Sequence, residues 1–284
     1  MAAHTSFGVG GAAELYLEPR TAAAMVAAVR ALRAADMATV VLGRGTNVLV
    51  SDLGVKGAVV CSYPGLSRLE VSGSRVVVAA GVLLGRVCHA AADAGLSGME
   101  AMAGIPGTLG GALFMNAGAN GTTIGDLVEA AAVVGPDGET HHVRADEMAF
   151  GYRSSNLCEK GWWVIEATLS LASGCTEKVH EKAYGALQQR CAKQPVASPS
   201  AGSIFKRPPG DYAGRIVEEV GAKGLRVGGA EISGKHANFI VNVGGATAAD
   251  VLALIHEAQR RAYEQFGVKL EPEVCMVGEG FGEG

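Results

Sequence analysis

Residues 104–121 read GIPGTLGGALFMNAGANG, a stretch with six glycines, two side-chain amides and no charged side chain. This composition is too rich in glycine for a stable helix interior and too apolar for a solvated linker. We therefore expect its backbone to lie close against something flat and largely uncharged, such as a ring cofactor. The alternative is a tightly packed turn between core elements.

The composition is that of a globular protein without an overall positive field. The chain has 284 residues, 49% of them hydrophobic, and can bury the core of one large domain or of two to three smaller ones. Its net charge is −4 and its pI is about 6.0. These values argue against nucleic acid or an anionic membrane as a partner, so any anion-binding site must be local.

The cysteines and the N-terminus indicate a reducing compartment. The six cysteines are scattered without a C-x-x-C pair, and a chain of this size needs no disulfide framework. The N-terminal residues lack a signal-peptide pattern, and no window of about 18 apolar residues suggests a membrane span. We expect reduced thiols, a cytoplasmic location and no metal site.

Hydrophobic periodicity predicts helices and strands in mixed order. The predicted helices span residues 21–35, 84–94, 176–193, 212–220 and 248–266. The predicted strands span residues 39–42, 58–61, 69–71, 76–80, 128–134, 140–143, 164–171, 238–242 and 269–277.

A second glycine-containing loop, GRGTN at residues 43–47, lies between two short apolar runs. Successive amide N–H groups in such a loop can form a nest for a pyrophosphate, and Thr46 and Asn47 add side-chain donors. No helix follows directly, which argues against a Rossmann dinucleotide site. A simple tight turn is the alternative.

Several motifs, in a fixed order, resemble one enzyme family. Four stretches resemble the flavin-binding half of the UDP-N-acetylenolpyruvoylglucosamine reductase family: HTSF at 4–7, LGRGTNVLVSD at 42–52, the stretch at 104–121 and YRSS at 152–155. Two more stretches resemble the substrate domain of that family: PSAGSIFKRPPGDYAGRIVEEVGAKGLRVGGAEISGKHANFIVN at 199–242 and LEPEV at 270–274. The resemblance covers almost the whole chain.

The resemblance implies an α+β fold. It consists of a two-part FAD-binding region of the vanillyl-alcohol-oxidase (PCMH) type and a C-terminal α/β substrate-binding domain. The expected division is 1–62 and 63–175 for the two FAD-binding subdomains, 176–268 for the substrate-binding domain, and 269–284 for a C-terminal strand returning to the FAD region.

The resemblance also implies the activity of the family. A member holds FAD noncovalently, uses NADPH as co-substrate and reduces UDP-N-acetylglucosamine enolpyruvate to UDP-N-acetylmuramate in peptidoglycan precursor synthesis. Carried onto matching positions, Ser203 is the proton donor, Arg153 stabilises the enolate-like charge and Glu273 assists. The spacing between Arg153 and Ser203 leaves no room for the inserted tyrosine loop of the longer family type, so the shorter type is expected.

The resemblance also assigns binding residues. Those expected to bind FAD are Gly43, Arg44, Gly45, Thr46, Asn47, Gly104, Ile105, Pro106, Gly107, Thr108, Gly110, Gly111, Asn116, Gly118 and Ala119. Those expected to bind the substrate are Lys206, Arg215 and Asn238. Independently of the family, residues 203–235 are mildly basic within an acidic protein, as a UDP-sugar with an added carboxylate requires. A solvated charged face is the alternative.

Two rival functions remain open at this level. One is an FAD-dependent sugar or alcohol oxidase of the same fold, which uses oxygen instead of NADPH. The other is a nucleotide-binding regulatory module that has lost catalysis, which predicts the replacement of Arg153, Ser203 or Glu273. All three are present. The expected partner is therefore a small molecule, bound by a monomer.

Overall fold

A computed structural model describes residues 1–281 and separates the chain into two compact units. The first unit is made of Met1–Glu14, Gly45–Lys56 and the chain from Arg190 onward. The second unit is made of Leu15–Arg44 and Gly57–Gln189.

Helices and strands occur in mixed order along the described residues. The α-helices are α1 (Ala22–Ala34), α2 (Leu84–Asp93), α3 (Leu109–Phe114), α4 (Thr176–Lys193), α5 (Ala213–Glu219) and α6 (Ala248–Phe266). The strands are β1 (Ala13–Leu17), β2 (Thr39–Leu42), β3 (Val48–Val50), β4 (Val55–Cys61), β5 (Leu69–Ser72), β6 (Arg75–Ala79), β7 (Leu96–Ser97), β8 (Gly118–Ala119), β9 (Thr122–Thr123), β10 (Val128–Val134), β11 (Thr140–Arg144), β12 (Trp163–Ser170), β13 (Ala172–Ser173), β14 (Ser200–Ser203), β15 (Arg226–Val227), β16 (Ala230–Ile232), β17 (Phe239–Asn242) and β18 (Cys275–Val277).

The second unit is built on an antiparallel five-stranded sheet in the order β11-β10-β12-β6-β5. A smaller sheet places β4 between β1 and β2, and β2 runs parallel to β4. Thr21 caps the start of helix α1, and its hydroxyl accepts a hydrogen bond from the Ala24 N–H at 3.1 Å. Its apolar face buries Met25, Val29 and Leu32 in the core of this unit.

The glycine-rich stretch contains helix α3, contrary to the expectation that its glycines exclude a helix. Thr108 caps the helix, which is only six residues long. A Cβ on Gly110 would meet Ala80 at 3.1 Å, tighter than most real Cβ contacts. Close packing therefore favours glycine there and offsets its low helix propensity.

The first unit contains an antiparallel sheet in the order β14-β17-β16-β15 and a parallel pair of β3 with β18. Helices α5 and α6 bury Ile216, Val217, Val251 and Leu254 in its core. A capping box between Thr247 and Asp250 begins α6.

Asp52 gives α6 a second N-terminal cap from a distant part of the sequence. Its carboxylate accepts hydrogen bonds from the N–H groups of Ala248 at 2.8 Å and Ala249 at 2.9 Å. A negative charge at this end also interacts favourably with the helix dipole. The loop that follows β3 is thereby fixed to the start of α6.

The prediction of one strand over residues 269–277 was wrong in its first part. Only Cys275–Val277 forms a strand, which pairs with β3. Pro272 has no N–H to donate to a ladder. The preceding residues instead make isolated contacts with residues 204–206.

The other predicted elements are confirmed, with boundaries that differ by up to three residues. All six cysteines are free, as expected. The four-part domain division stays a prediction, and its last three residues, 282–284, lie outside the described part of the chain. No helix within residues 1–281 has the length and apolar character needed to cross a bilayer.

Candidate active site

In the second unit, the start of the GRGTN loop lies against the glycine-rich stretch. A Cβ on Gly43 would lie 2.3 Å from the Thr108 Oγ1, far inside van der Waals contact. The Gly43 carbonyl accepts a hydrogen bond of 3.1 Å from the Cys61 thiol, and burial raises the pKa of that thiol. The next residue, Arg44, places its guanidinium 5.4 Å from the ring centre of Tyr63. Two segments predicted to bind FAD are thus brought together.

Backbone hydrogen bonds fix the glycine-rich stretch to the end of β6 and the loop after it. The N–H groups of Leu109 and Gly110 donate to the carbonyls of Val82 and Ala80, each at 2.9 Å. Gly107 accepts from the Leu84 N–H at 3.0 Å and has a φ of +114°, a conformation that glycine adopts readily. The stretch is therefore held by its backbone.

The turn that carries Arg153 is hydrogen-bonded to the same glycine-rich stretch. The amide of Asn116 donates to the Gly151 carbonyl at 2.8 Å and accepts from the Gly125 N–H at 3.0 Å. The Ser155 hydroxyl donates to the Phe114 carbonyl at 2.8 Å. Arg153 lies between these anchors with a φ of +53°. Asn116, predicted as a cofactor ligand, makes its observed contacts to protein backbone.

These features fit FAD. The stretch is uncharged, leaves Pro106 and Gly111 exposed and buries Thr108 beneath them. A Cβ at Gly43 would remove the close approach to Thr108. A flavin ring needs an uncharged surface, and a dinucleotide needs backbone amides near its phosphates.

In the first unit, the rest of the GRGTN loop is held by Ser6. The Ser6 N–H donates to the Gly45 carbonyl at 2.9 Å, and the Ser6 hydroxyl donates to the Ser200 carbonyl at 2.7 Å. Gly45 has a φ of +65°, and a Cβ there would lie 2.4 Å from the His4 carbonyl. Sequence reasoning assigned no role to Ser6, although the HTSF motif contained it.

Ser203 and Glu273 lie on adjacent backbone segments of the first unit. The Glu273 N–H donates to the carbonyl of Ile204, the residue after Ser203, at 2.7 Å. The Asn47 amide donates to the Glu273 carbonyl at 3.1 Å, and the Cys275 N–H donates to the Asn47 carbonyl at 3.0 Å. Both side chains are half-buried. The GRGTN loop, Ser203 and Glu273 are thus joined by successive hydrogen bonds.

Asn238 holds the segment that carries Ser203. Its buried amide accepts from the Phe205 N–H at 3.0 Å and donates to the Phe205 carbonyl at 2.9 Å. Burial lowers the pKa of His236, whose Nδ1 accepts from the Asn238 N–H at 3.2 Å. The neutral ring provides the lone pair that this contact needs.

The two basic residues predicted to bind substrate have acidic partners. Lys206 pairs with the Glu271 carboxylate. Arg215 contacts both Asp211 and Glu219. Hydrogen bonds from Arg215 lower the pKa of Asp211 to about 2.

The structure brings Ser203 and Glu273 together within the first unit and places Arg153 in the second. Gly104, Ile105, Gly118 and Ala119 belong to the same continuous stretch as Thr108.

Comparison with known proteins identifies both parts of the chain. Residues 194–277 match the family described as UDP-N-acetylenolpyruvoylglucosamine reductase, C-terminal domain. Residues 13–144 match the family described as FAD binding domain. The α+β class, with an FAD-binding part followed by a separate C-terminal domain, is confirmed.

Curated relatives match over nearly the full length. UDP-N-acetylenolpyruvoylglucosamine reductase from Caldanaerobacter subterraneus is 43% identical over 98% of this chain and 92% of its own. The enzyme of the same name from Agathobacter rectalis is 42% identical with the same coverage. The crystal structure of UDP-N-acetylenolpyruvylglucosamine reductase from Thermus caldophilus is 39% identical, with a TM-score of 0.83, over 97% of this chain and 96% of that one.

Proposed function

The chain belongs to the UDP-N-acetylenolpyruvoylglucosamine reductase family and is an FAD-containing oxidoreductase, and we propose that it uses NADPH to reduce UDP-N-acetylglucosamine enolpyruvate to UDP-N-acetylmuramate. This reaction supplies a precursor of peptidoglycan. We also propose that the chain acts as a monomer.

The reaction adds two hydrogens across the enolpyruvyl double bond. FAD, when bound, would supply the hydride chemistry that links NADPH to the vinyl carbon. The adjacent carbon becomes a strong base and takes a proton from the Ser203 Oγ. A neutral hydroxyl is a weak acid, so Ser203 is effective only because that carbon is so basic.

Arg153 and Glu273 act on the charge that forms during this step. A carbanion beside a carboxylate is a dianion, and a fixed guanidinium favours it more than it favours the substrate. The hydrogen bonds from Asn116 and Ser155 hold the turn that carries Arg153, which reduces reorganisation during the reaction. Glu273 assists beside Ser203.

The diphosphate of the substrate is held by basic side chains of the first unit. Lys206, which pairs with Glu271, and Arg215, which contacts Asp211 and Glu219, are the proposed ligands. Asn238 supports binding indirectly, because both ends of its amide bond Phe205. The loop residues Gly43, Arg44, Gly45, Thr46 and Asn47 contact FAD.

One observation carries the proposal: the Glu273 N–H bonds the Ile204 carbonyl while the Glu273 carbonyl accepts from Asn47. The segment that carries Ser203, the predicted proton donor, is therefore adjacent to Glu273 and to the GRGTN loop, and hydrogen bonds to backbone carbonyls join the three. These residues belong to three separate parts of the sequence.

The test is to follow flavin absorbance near 450 nm without oxygen. We expect NADPH to bleach the purified protein and UDP-N-acetylglucosamine enolpyruvate to restore the colour, with UDP-N-acetylmuramate as the product. Recovery with oxygen alone would support the oxidase alternative. Faster bleaching by NADH than by NADPH would contradict the cosubstrate assignment.

A further inference from the structure

Three ligand-type side chains converge on the surface of the second unit, in a place that the reductase chemistry does not use. The coordinating atoms of His89, Asp93 and His180 all lie within 4.8 Å of one another. The Asp93 carboxylate is 3.0 Å from the His180 Nε2 and 3.5 Å from the His89 Nε2. The two imidazole rings are 5.8 Å apart between centroids.

Two helices fix this arrangement. His89 and Asp93 are four residues apart on α2 and therefore share one face of that helix. His180 lies in the first half of α4. The Gly174 N–H donates to the Gly95 carbonyl at 2.7 Å, so the start of α4 is attached to the end of α2.

Packing at the start of α4 fixes the backbone that carries the three side chains. Strands β7 and β13 pair between the two helices. Val179, the neighbour of His180, is buried and would contact a Cβ on Gly174 at 3.0 Å. The backbone that carries the three ligands is therefore set before any ion arrives, which lowers the entropic cost of binding.

The donor set selects a class of ion. Two imidazole nitrogens and one carboxylate suit zinc and the neighbouring first-row transition metals, whereas calcium and magnesium prefer oxygen ligands. The side chains of His89 and Asp93 are exposed, so an ion can enter and water can complete its coordination.

We propose that His89, Asp93 and His180 form a binding site for a divalent transition-metal ion such as Zn²⁺, which fastens α2 to α4. The expectation from sequence was that there is no metal site, because the two histidines lie on helices distant in the chain. The pairing of His141 with Asp137 at 2.8 Å is a natural comparison, because that pair has the same side chains but no third ligand within the described residues.

The test is calorimetric titration of ZnCl₂ into the FAD-loaded protein. The exposed cysteines Cys158, Cys175 and Cys191 are first replaced by serine, because thiolates bind zinc strongly. We expect one equivalent of zinc to bind, and its binding to raise Tm. His89→Ala or His180→Ala should weaken zinc binding at least tenfold, since each removes a ligand.

The matched control is His141→Ala, which should leave zinc affinity unchanged. If an alanine variant fails to fold, His180→Gln retains the size of the side chain and should still lose the affinity. The proposal is overturned if the parent protein binds no zinc at millimolar concentration. It is equally overturned if the variants at positions 89 and 180 bind zinc as well as His141→Ala does.

Discussion

The side-chain amide of Asn116 donates a 2.8 Å hydrogen bond to the carbonyl of Gly151. Asn116 lies in the glycine-rich stretch, and Gly151 begins the turn that carries Arg153. The same amide accepts a hydrogen bond from Gly125. The segment assigned to the cofactor therefore also sets the position of a residue assigned to catalysis.

Replacing Asn116 by alanine tests this relationship. Asn116→Ala leaves the carbonyl of Gly151 and the N–H of Gly125 without their partner, and we expect a loss of about 2 kcal/mol or more in the free energy of unfolding. Turnover should fall as well, because the Arg153 turn loses an anchor. Urea unfolding and steady-state kinetics measure the two effects.

Asn120→Ala is the matched control for Asn116→Ala. Asn120 also has a positive φ, of +51°, but it is exposed. Its replacement should cost only the conformational preference of asparagine, about 1 kcal/mol. Equal effects on stability and turnover from both variants would argue against the anchoring role of Asn116.

Gly43→Ala should weaken FAD binding. The added Cβ lies 2.3 Å from the Thr108 Oγ1, so Thr108, which caps α3 and is buried, must shift. We expect a loss of about 1–3 kcal/mol in stability, typical of overpacking, and at least a tenfold rise in the Kd for FAD. Flavin fluorescence measures the Kd. The control, Gly85→Ala in α2, meets nothing within 4 Å and should leave FAD binding unchanged.

Ser203→Ala should separate the two halves of the reaction. Bleaching by NADPH does not need the hydroxyl, whereas reoxidation by the substrate should slow by about 10²–10⁴-fold if the hydroxyl donates the proton. Anaerobic stopped-flow absorbance measures both steps. Ser200→Ala, at the other end of β14, should change neither. Equal slowing of both steps in Ser203→Ala would remove Ser203 from the proton-donating role.

Glu257 should contribute to stability in a pH-dependent way. Hydrogen bonds from Arg260 and Arg261 lower the pKa of its carboxyl from 4.5 to about 2. A pKa depressed by folding adds stability above about pH 4.5, and this contribution is lost as the pH falls towards 2. The stability difference between wild type and Glu257→Gln should therefore be largest above pH 4.5 and shrink in acid.

Urea midpoints measured from pH 2 to 7 test the role of Glu257. Glu181→Gln, at an exposed position of α4, is measured as the control. A Glu257→Gln curve that stays parallel to wild type down to pH 2 would contradict the assignment.

The local sequence pattern was sufficient to predict the long helices. Helices α4 and α6 were predicted at their observed boundaries, because the signals that mark these helices lie in the helices or in the residues next to them. The strand prediction over 269–277 was wrong before Cys275, because alternation was given more weight than the missing N–H of Pro272.

Tight packing explains the other incorrect prediction, that the glycines of residues 104–121 exclude a helix. Glycine has a low helix propensity, yet α3 includes Gly110 where its backbone approaches Ala80. Propensity is a local average, whereas close approach depends on a partner distant in the chain. The role of Ser6 was missed for the same reason, since its contacts are to Gly45 and Ser200.

By itself the sequence determined the class of fold, the family, and the residue types available for the chemistry, because motif order and periodicity are properties of the chain. Only the tertiary structure decided that Glu273 bonds the residue next to Ser203, that Asp52 caps α6, and that two histidines share the carboxylate of Asp93. Each of these arrangements includes at least one residue that is distant in sequence from the others. Their geometry depends on how sheets and helices pack, which no local pattern records.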